Sequence, residues 1–248
     1  MKLKMIPVLI VGLALACALS STASADVTSS SATPAIPLRV ALSATGLLFP
    51  DLNVWHRVKD WDAFDKASNG ILAIKAWENG GGNNAKKLTG DDVVNFVENL
   101  RQAEKRNMIV IGYAFGVGGV SGISQADALI SVFRVDKSPG HILVLDLEGG
   151  GKYGMTNTEA IAFVTRIRQK TGRYPFLYTS RARARPGALA KCPHWVAAWV
   201  NGAAPKGAIW QFTNGTLGPE PHNFPGVGRC DINKLLITYG AFRKLAGI

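Results

Sequence analysis

Cysteine is scarce in this chain, and its scarcity excludes one common kind of site. Only three cysteines and four histidines occur among 248 residues, and they are scattered along the sequence. A zinc site needs several such ligands at close spacing, so the sequence predicts neither a metal nor a cofactor. In an oxidising compartment, Cys192 and Cys230 are expected to form a disulfide, with two buried free thiols as the alternative.

Acidic residues are also in short supply. The chain has 28 Lys and Arg residues against 17 Asp and Glu residues, which gives a net charge of +11. This excess predicts attraction to polyanions such as anionic cell-envelope polymers. The densest basic cluster comprises Arg181, Arg183, Arg185 and Lys191, with a solvated loop as the alternative reading. Because no aromatic residues are interleaved with these cations, a groove for single-stranded nucleic acid is not expected.

Long hydrophobic runs are absent after the first 25 residues, so no later segment is predicted to span a bilayer. The start of the chain has Lys2 and Lys4, an apolar stretch at 6–19 and the small residues Ala23-Ser24-Ala25, as is typical of an export signal. We predict cleavage after Ala25, which leaves a net charge of +9 and a periplasmic or extracellular protein, with an uncleaved anchor or lipidation at Cys17 as alternatives. Residues 26–37, rich in Ser, Thr, Ala and Pro, predict a flexible leader before one domain over 38–248.

Within that domain, apolar strand-like runs alternate with amphipathic helix-like runs. The predicted strands are 71–77, 108–115, 141–148 and 174–178, and the predicted helices are 92–106, 125–133 and 156–172. After Ser180 the helical pattern fades, and only short strand-like pieces follow, at 194–199, 208–212 and 229–232.

This alternation predicts parallel βαβ units and an α/β fold. About eight strands over some 210 residues predict an irregular TIM-like barrel, with about five βα units followed by three strands. A doubly wound open sheet is the alternative. It is disfavoured because no phosphate-binding glycine motif follows the first strand.

The segment from His141 to Gly149 is the most informative part of the sequence. It is an apolar run that ends in Asp146 and Glu148, followed by glycines. Side chains at positions i and i+2 of a strand point to the same side, so the two carboxylates should project together from the end of a buried strand. Burying two acids is costly without a role, and pairs of this kind cleave glycosidic bonds.

Other acids and aromatic residues also follow predicted strands. In an α/β barrel the active site lies at the carboxyl ends of the strands, and aromatic planes beside acids suit the apolar faces of sugar rings. The predicted substrate-binding residues are therefore Asp51, Trp55, Glu78, Tyr113, Tyr178, Trp195, Trp199, Trp210 and Asp231. Ordinary core packing is the alternative for each single tryptophan.

In their order, these residues resemble the glycoside hydrolase family 25 lysozymes, which are N-acetylmuramidases. The resemblance covers nearly all of residues 45–235. It rests on Asp51-Leu-Asn-Val-Trp55, Ile74-Lys-Ala-Trp-Glu78, Gly112-Tyr-Ala-Phe115, Asp146-Leu-Glu148, Trp195-Val-Ala197, Trp210-Gln-Phe-Thr213 and Asp231-Ile-Asn233.

The resemblance implies cleavage of the β-1,4 bond between N-acetylmuramic acid and N-acetylglucosamine in peptidoglycan, by a protein that we expect to be a monomer. Glu148 would be the general acid, and Asp146 would stabilise the reacting sugar or its N-acetyl group. Asp51 and Asp231 would line the same pocket. The charge of Asp146 should raise the pKa of Glu148, and we expect retention of anomeric configuration, by a covalent intermediate or by the substrate's own acetamido oxygen.

Two alternatives accompany this prediction. One is another N-acetylhexosaminidase, such as a chitinase-like enzyme, because these also use carboxylates after a barrel strand. The other is a non-catalytic cell-wall-binding barrel. The second arises because Ala114 stands where the family often has His, and Ala198 where a polar residue often follows Trp-x-Ala.

Overall fold

The computed structural model describes residues 36–79, 85–86, 91–135, 140–149 and 154–248. The predicted signal peptide, 1–25, lies outside the described residues, as does the predicted leader except for Ile36 and Pro37. Ile36 is buried, so the described domain begins slightly before the predicted boundary at residue 38.

Eight strands close into a barrel, which confirms the predicted fold class. Seven of them run parallel, and the last runs antiparallel to both of its neighbours. The strands are β1 (Leu48–Leu52), β2 (Ile71–Lys75), β3 (Ile109–Phe115), β4 (His141–Asp146), β5 (Phe176–Ser180), β6 (His194–Ala197), β7 (Ile209–Thr213) and β8 (Asp231–Leu235). Around the barrel their order is β1-β8-β7-β6-β5-β4-β3-β2.

Helices follow the first strands and then give way to short connections. α1 (Trp61–Ala67), α2 (Asp91–Lys105), α3 (Gly122–Phe133) and α4 (Asn157–Thr171) follow β1 to β4, and a 3₁₀ helix, Gly187–Lys191, follows β5. Two short hairpins lie between barrel strands, Glu78–Asn79 with Ala85–Lys86, and Asn223–Phe224 with Gly228–Arg229. The last element is α5 (Tyr239–Ala246).

Local sequence signals fix the helix ends. Thr156 caps α4 with its hydroxyl, which accepts from the Glu159 amide at 3.2 Å, while the Glu159 carboxylate accepts from the Thr156 amide at 2.8 Å. The same helix ends at Gly172, whose φ of 75° favours glycine. α3 begins three residues before the prediction, because the Ser121 hydroxyl caps the Ser124 amide.

The alternation of side chains along each strand builds two apolar layers. Inward-facing residues such as Phe49, Ile111 and Val144 fill the barrel interior. Outward-facing residues such as Val110 and Leu145 pack against the helices instead. α5 adds Tyr239, Phe242 and Ala246 to the interior, where it closes the amino end of the barrel. The opposite, carboxyl end is left to polar side chains.

The antiparallel direction of β8 was not expected from the βα pattern. No helix separates β7 from β8, and an antiparallel neighbour does not need a helical crossover. As a result, β8 begins at the end of the barrel where the parallel strands finish. Asp231, its first residue, is paired in register with Asp51 of β1.

The predicted disulfide is not present in the structure. Cys192 and Cys230 are both buried free thiols. Cys192 shortly precedes β6 at the amino end of the barrel, whereas Cys230 immediately precedes β8 at the carboxyl end. A disulfide requires the two Cα atoms to lie within about 7 Å of each other, and cysteines at opposite ends of the barrel strands do not meet this requirement. Burial raises the pKa of the Cys192 thiol to about 12, so this thiol stays protonated.

The part of the chain that the structure describes contains no helix with both the length and the hydrophobicity needed to cross a bilayer.

Candidate active site

A pocket opens at the carboxyl end of the barrel, and all eight strands contribute to it. Each strand supplies one side chain, and the loop after β4 supplies a ninth. The lining residues are Asp51, Lys75, Tyr113, Asp146, Glu148, Tyr178, Trp195, Gln211 and Asp231. Four of these nine are acids, brought together from three strands and one loop.

Asp146 and Glu148 share this pocket but differ in environment. Asp146, the last residue of β4, is only 1 % exposed, and the Lys75 ammonium lies 4.0 Å from its Oδ2 atom. Glu148 lies two residues further along and is exposed to solvent. The pair therefore combines a buried carboxyl group beside a cation with an accessible one that a substrate can reach.

Asp51 lies at the centre of the hydrogen-bond network of the pocket. It is buried, and its Oδ1 atom accepts from the Tyr113 hydroxyl at 3.0 Å. Its Oδ2 atom accepts from Gln211 Nε2 and from Asn233 Nδ2, both at 3.0 Å. Three donors from three other strands thus compensate the cost of burying this carboxylate.

Asp231, the first residue of β8, has a raised pKa. Burial raises its pKa to about 8, with further contributions from the negative charges of Asp51 and Glu148, while Lys75 opposes the shift. Its Oδ2 atom accepts from Gln211 Nε2 at 3.2 Å. This carboxyl group therefore holds its proton to a higher pH than an ordinary aspartate does.

Gln211 connects the two aspartates to the aromatic side of the pocket. Its amide nitrogen donates to Asp51 and Asp231, while its Oε1 atom accepts from the Tyr178 hydroxyl at 2.9 Å and from Trp199 Nε1 at 2.8 Å. Burial raises the pKa of Tyr178 well above its ordinary value, so the phenol stays a donor. All four partners fix the orientation of this one amide.

Trp195 forms the floor of the pocket. Its ring meets those of Tyr113 and Tyr178 edge-on, with centroids 5.8 and 5.1 Å away. Its Nε1 atom donates to Asn233 Oδ1 at 2.8 Å, and the side chain is 1 % exposed. The floor is therefore packed and hydrogen-bonded before any ligand arrives.

The other predicted site residues lie in different places. Trp55 is 68 % exposed beyond the end of β1, and Trp199 is half-exposed at the edge of the pocket, bonded to Gln211. Trp210 faces outward, into the layer between barrel and helices, where its Nε1 atom donates to the Ala198 carbonyl at 2.8 Å. The side chain of Glu78 lies outside the part of the structure that is described.

The departures at Ala114 and Ala198 leave the lining of the pocket intact. Ala114 is buried in the outer layer, beside the helices, and Ala198 packs against that same layer. Neither residue lines the pocket.

Three residues of the site were missed by the sequence prediction, namely Lys75, Gln211 and Asn233. Each lies two positions along a strand from a residue that faces inward: Ala73, Ile209 and Asp231. The period-two alternation of a strand was the signal that could have found them.

Chemically, the pocket combines an accessible acid, two buried carboxyl groups and a neutral one around a single opening. Such a set can donate a proton to a leaving oxygen and stabilise positive charge that develops on a bound sugar. Among the described residues, no group of three or more His, Cys, Asp or Glu side chains is arranged to hold a metal ion.

Comparison with known proteins identifies the relatives of this barrel. The family described as Glycosyl hydrolases family 25 matches residues 54–219. The structure is similar to that of the bacterial lysozyme from Streptomyces coelicolor (TM-score 0.60, 23 % identity, covering 82 % of this chain and 97 % of that one). It is also similar to the family GH25 lysozyme from Aspergillus fumigatus (TM-score 0.58, 23 % identity, covering 82 % of this chain and 99 % of that one). A third similar structure is the muramidase from Acremonium alcalophilum (TM-score 0.59, 21 % identity, covering 81 % of this chain and 98 % of that one). At these identities the structural likeness establishes the fold alone, and a search of curated proteins finds no match.

Proposed function

The chain belongs to glycosyl hydrolase family 25, and from this premise we propose that it is a muramidase. It would cleave the β-1,4 bond between N-acetylmuramic acid and N-acetylglucosamine in peptidoglycan. The observation that carries the proposal is the acid-lined pocket, in which Asp146 and Glu148 share one opening with Asp51 and Asp231. The lysozymes and the muramidase among the similar structures support this class of substrate.

In the proposed mechanism Glu148 is the general acid. Its exposure lets it approach the glycosidic oxygen, to which it gives its proton as the bond to the sugar breaks. The resulting positive charge develops on the sugar, next to the buried carboxyl group of Asp146. A nucleophile first bonds to the anomeric carbon as the leaving oxygen departs. Water, which gives a proton to Glu148, then displaces that nucleophile, and the two inversions together retain the configuration.

The pocket offers two routes to retention. In one, a carboxylate bonds to the sugar. In the other, the acetamido oxygen of the substrate attacks its own anomeric carbon, and Asp146 holds the acetamido group. The burial of Asp146 and the position of Lys75 at 4.0 Å favour the second, because a carboxylate held beside a cation is a weaker nucleophile.

Replacing the proposed acid tests the function. We expect Glu148→Gln to lower the release of reducing ends from purified sacculi by at least about 100-fold, because the amide keeps the shape but loses the proton. Glu98→Gln, at a half-exposed position of α2, is the matched control and should keep full activity. Near-wild-type turnover by Glu148→Gln would remove this residue from the role.

The identity of the products separates the muramidase from a chitinase-like enzyme. A muramidase leaves N-acetylmuramic acid at the new reducing ends, and reduction of the digest with borohydride converts that sugar to its alcohol. Release of N-acetylglucosamine ends, or equal turnover of chitin, would favour the other N-acetylhexosaminidase reading.

We also propose that the protein is exported, because its substrate lies outside the cytoplasmic membrane. The sequence support is the basic, apolar and small-residue pattern of residues 1–25. Intact-mass measurement of the protein recovered from outside the cell should give a chain that starts at Asp26. A full-length chain in the cytoplasm would contradict this part of the proposal.

A further inference from the structure

A second concave site lies beside the active site, on the outer side of β6. We call it the basic groove. It has a volume of about 510 Å³ and lies between the segment that follows β5 and the connection from β6 to β7. Its cationic side is formed by Arg181, Arg183, Arg185 and Lys206. The exposed part of its apolar side is formed by Ala203 and Ala204, because the other apolar residues there, Val196 and Pro205, are buried. None of these residues lines the catalytic pocket.

In the part of the chain that the structure describes, the positive charge of the basic groove is not balanced by a neighbouring carboxylate. No carboxylate lines the groove, and residues 181–219 contain neither Asp nor Glu. Within the described residues, none of the four cations makes an ion pair. Four cations converging on one concavity repel each other, so the groove favours an anionic occupant.

The remaining lining is uncharged. His194 forms part of the wall, where its Nε2 atom lies 2.8 Å from the Thr179 hydroxyl. Burial lowers the pKa of His194 to about 4, with a contribution from Arg185, so the ring is neutral. Ala203 and Ala204 add small apolar surfaces. The groove thus combines cations with a wall that suits methyl groups.

The basic groove is joined to the catalytic end of the barrel by the chain itself. Tyr178 of β5 lines the catalytic pocket, and Arg181 follows the last residue of that same strand. Arg183 Nη1 donates to the carbonyl of Gly149 at 3.2 Å, next to Glu148 in the sequence. A ligand in the groove therefore lies beside, and outside, the place where the glycan would be cut.

We propose that the basic groove binds the carboxylates of the peptide stem that branches from the N-acetylmuramic acid in the substrate. This inference rests on the proposed function. An extended stem of four residues spans about 13 Å, long enough to leave the pocket and lie along a neighbouring groove. The guanidinium forks of Arg181 and Arg185 bind the carboxylates, and the apolar wall receives the alanine methyl groups of the stem.

The apolar part of the wall favours a peptide over a phosphate polymer. A phosphodiester chain offers charge but few small apolar groups, and would leave the exposed surfaces of Ala203 and Ala204 without partners. A stem peptide offers both charge and methyl groups, so it complements both sides of the groove.

The main comparison in the test uses two substrates and three proteins. The substrates are intact sacculi and glycan strands stripped of their stems by an N-acetylmuramoyl-L-alanine amidase. The proteins are the wild type, Arg181→Gln/Arg185→Gln and the control Lys66→Gln/Lys105→Gln, which removes the same charge on the opposite side of the barrel. Arg183 is left unchanged because it bonds two backbone carbonyls, those of Gly149 and Met155, whereas Arg185 makes one long contact, at 3.5 Å to the Cys192 carbonyl.

We expect the arginine double variant to raise KM on intact sacculi about tenfold, as for the loss of charge-assisted hydrogen bonds, with kcat unchanged. On stem-free strands the wild type and both variants should share one KM. Arg181→Lys/Arg185→Lys should recover only part of the loss, because lysine lacks the fork.

A binding measurement keeps this inference separate from the proposed activity. Sedimentation in the Glu148→Gln background should show the arginine variant losing affinity for intact sacculi only. If the wild type cuts neither substrate, the muramidase proposal fails, while sedimentation still tests whether the basic groove binds the stem. Equal binding of intact and stripped glycan by the wild type would overturn the stem proposal. The stem proposal would also be overturned if the arginine double variant lost affinity only for a phosphate polymer, tested with inorganic polyphosphate.

Discussion

At the scale of single residues, Gln211 holds the polar network of the pocket together. Its amide bonds Asp51, Asp231, Tyr178 and Trp199, so one side chain orients groups from four parts of the chain. An isosteric apolar residue would fill the space but satisfy none of these partners.

We therefore expect Gln211→Leu to lower kcat about tenfold or more, which corresponds to about 1.4 kcal/mol. It should also cost about 1–3 kcal/mol of stability, because buried donors lose an acceptor. Steady-state kinetics and denaturant unfolding measure the two effects. Phe212→Leu, at the next position of β7 but facing the outer layer, should lower stability and leave kcat unchanged. Equal kinetic effects of the two variants would contradict this role.

Asp231 couples the pocket to pH through the raised pKa of its carboxyl group. In the folded protein it keeps its proton up to about pH 8, whereas an unfolded aspartate ionises near about pH 3.9. Between these values only the folded state holds the proton. The free energy of unfolding therefore has its full contribution from Asp231 below the unfolded pKa and loses it as pH rises through the folded pKa.

Asp231→Asn should remove this dependence, because an amide stays neutral and still accepts from Gln211. Thermal melts at intervals from pH 4 to pH 9 would measure it. We expect the difference in Tm between variant and wild type to grow in favour of the variant by about 2 °C or more as pH rises, the shift of a 1 kcal/mol change for a chain of this size. Parallel pH curves would show that the wild-type carboxyl is not protonated.

At the scale of elements, β7 shows why part of the site escaped sequence prediction. The run Ile209-Trp-Gln-Phe-Thr213 has an indole and an amide at adjacent positions. The prediction selected Trp210 for its chemistry, but strand alternation turns it outward and Gln211 inward. Hydrophobicity alone does not reveal the inward face of this strand, because both layers of the barrel are apolar.

Helices α3 and α4 pack closely at a glycine. A Cβ atom on Gly122 would lie 2.0 Å from the backbone carbonyl oxygen of Glu159, which is not a flexible neighbour. We expect Gly122→Ala to separate the two helices at a cost of about 1–3 kcal/mol in chemical denaturation. Ser124→Ala, at an exposed position of the same helix, is the control and should be close to neutral. A wild-type stability for Gly122→Ala would mean that the helices can shift freely.

At the scale of the whole molecule, the hydrophobic periodicity of each segment predicted the barrel, the order of its strands and helices, and the lack of long helices between the strands after β5. It also predicted that acids distant in sequence would share the carboxyl end, as Asp51, Asp146 and Asp231 do. The direction of β8 was not predictable, since a short strand carries no mark of parallel or antiparallel pairing. The disulfide prediction rested on the oxidising compartment and the number of cysteines, neither of which gives the distance between Cys192 and Cys230, and in the structure both are free thiols.

The amino end of the barrel contributes to stability, and the carboxyl end carries the pocket. α5 closes the amino end, with Phe242 fully buried and its ring 6.3 Å from that of Phe176. We expect Phe242→Ala to cost about 3–5 kcal/mol in denaturant unfolding. Because the pocket lies at the other end, kcat below the melting temperature should stay at the wild-type value. Lys244→Ala, exposed on the same helix, is the control. A proportional loss of kcat would show that the ends are coupled.

The placement of Trp199 has an optical consequence. Its indole is 39 % exposed, yet its nitrogen is bonded to the amide that joins the two aspartates. The emission of an indole depends on the polarity around it, and a sugar seated at the pocket would replace water on the open side of this ring. Trp195 is already buried, so its emission should not change when a sugar binds. The molecule thus carries an intrinsic fluorophore at its entrance, by which occupancy can be followed without a label.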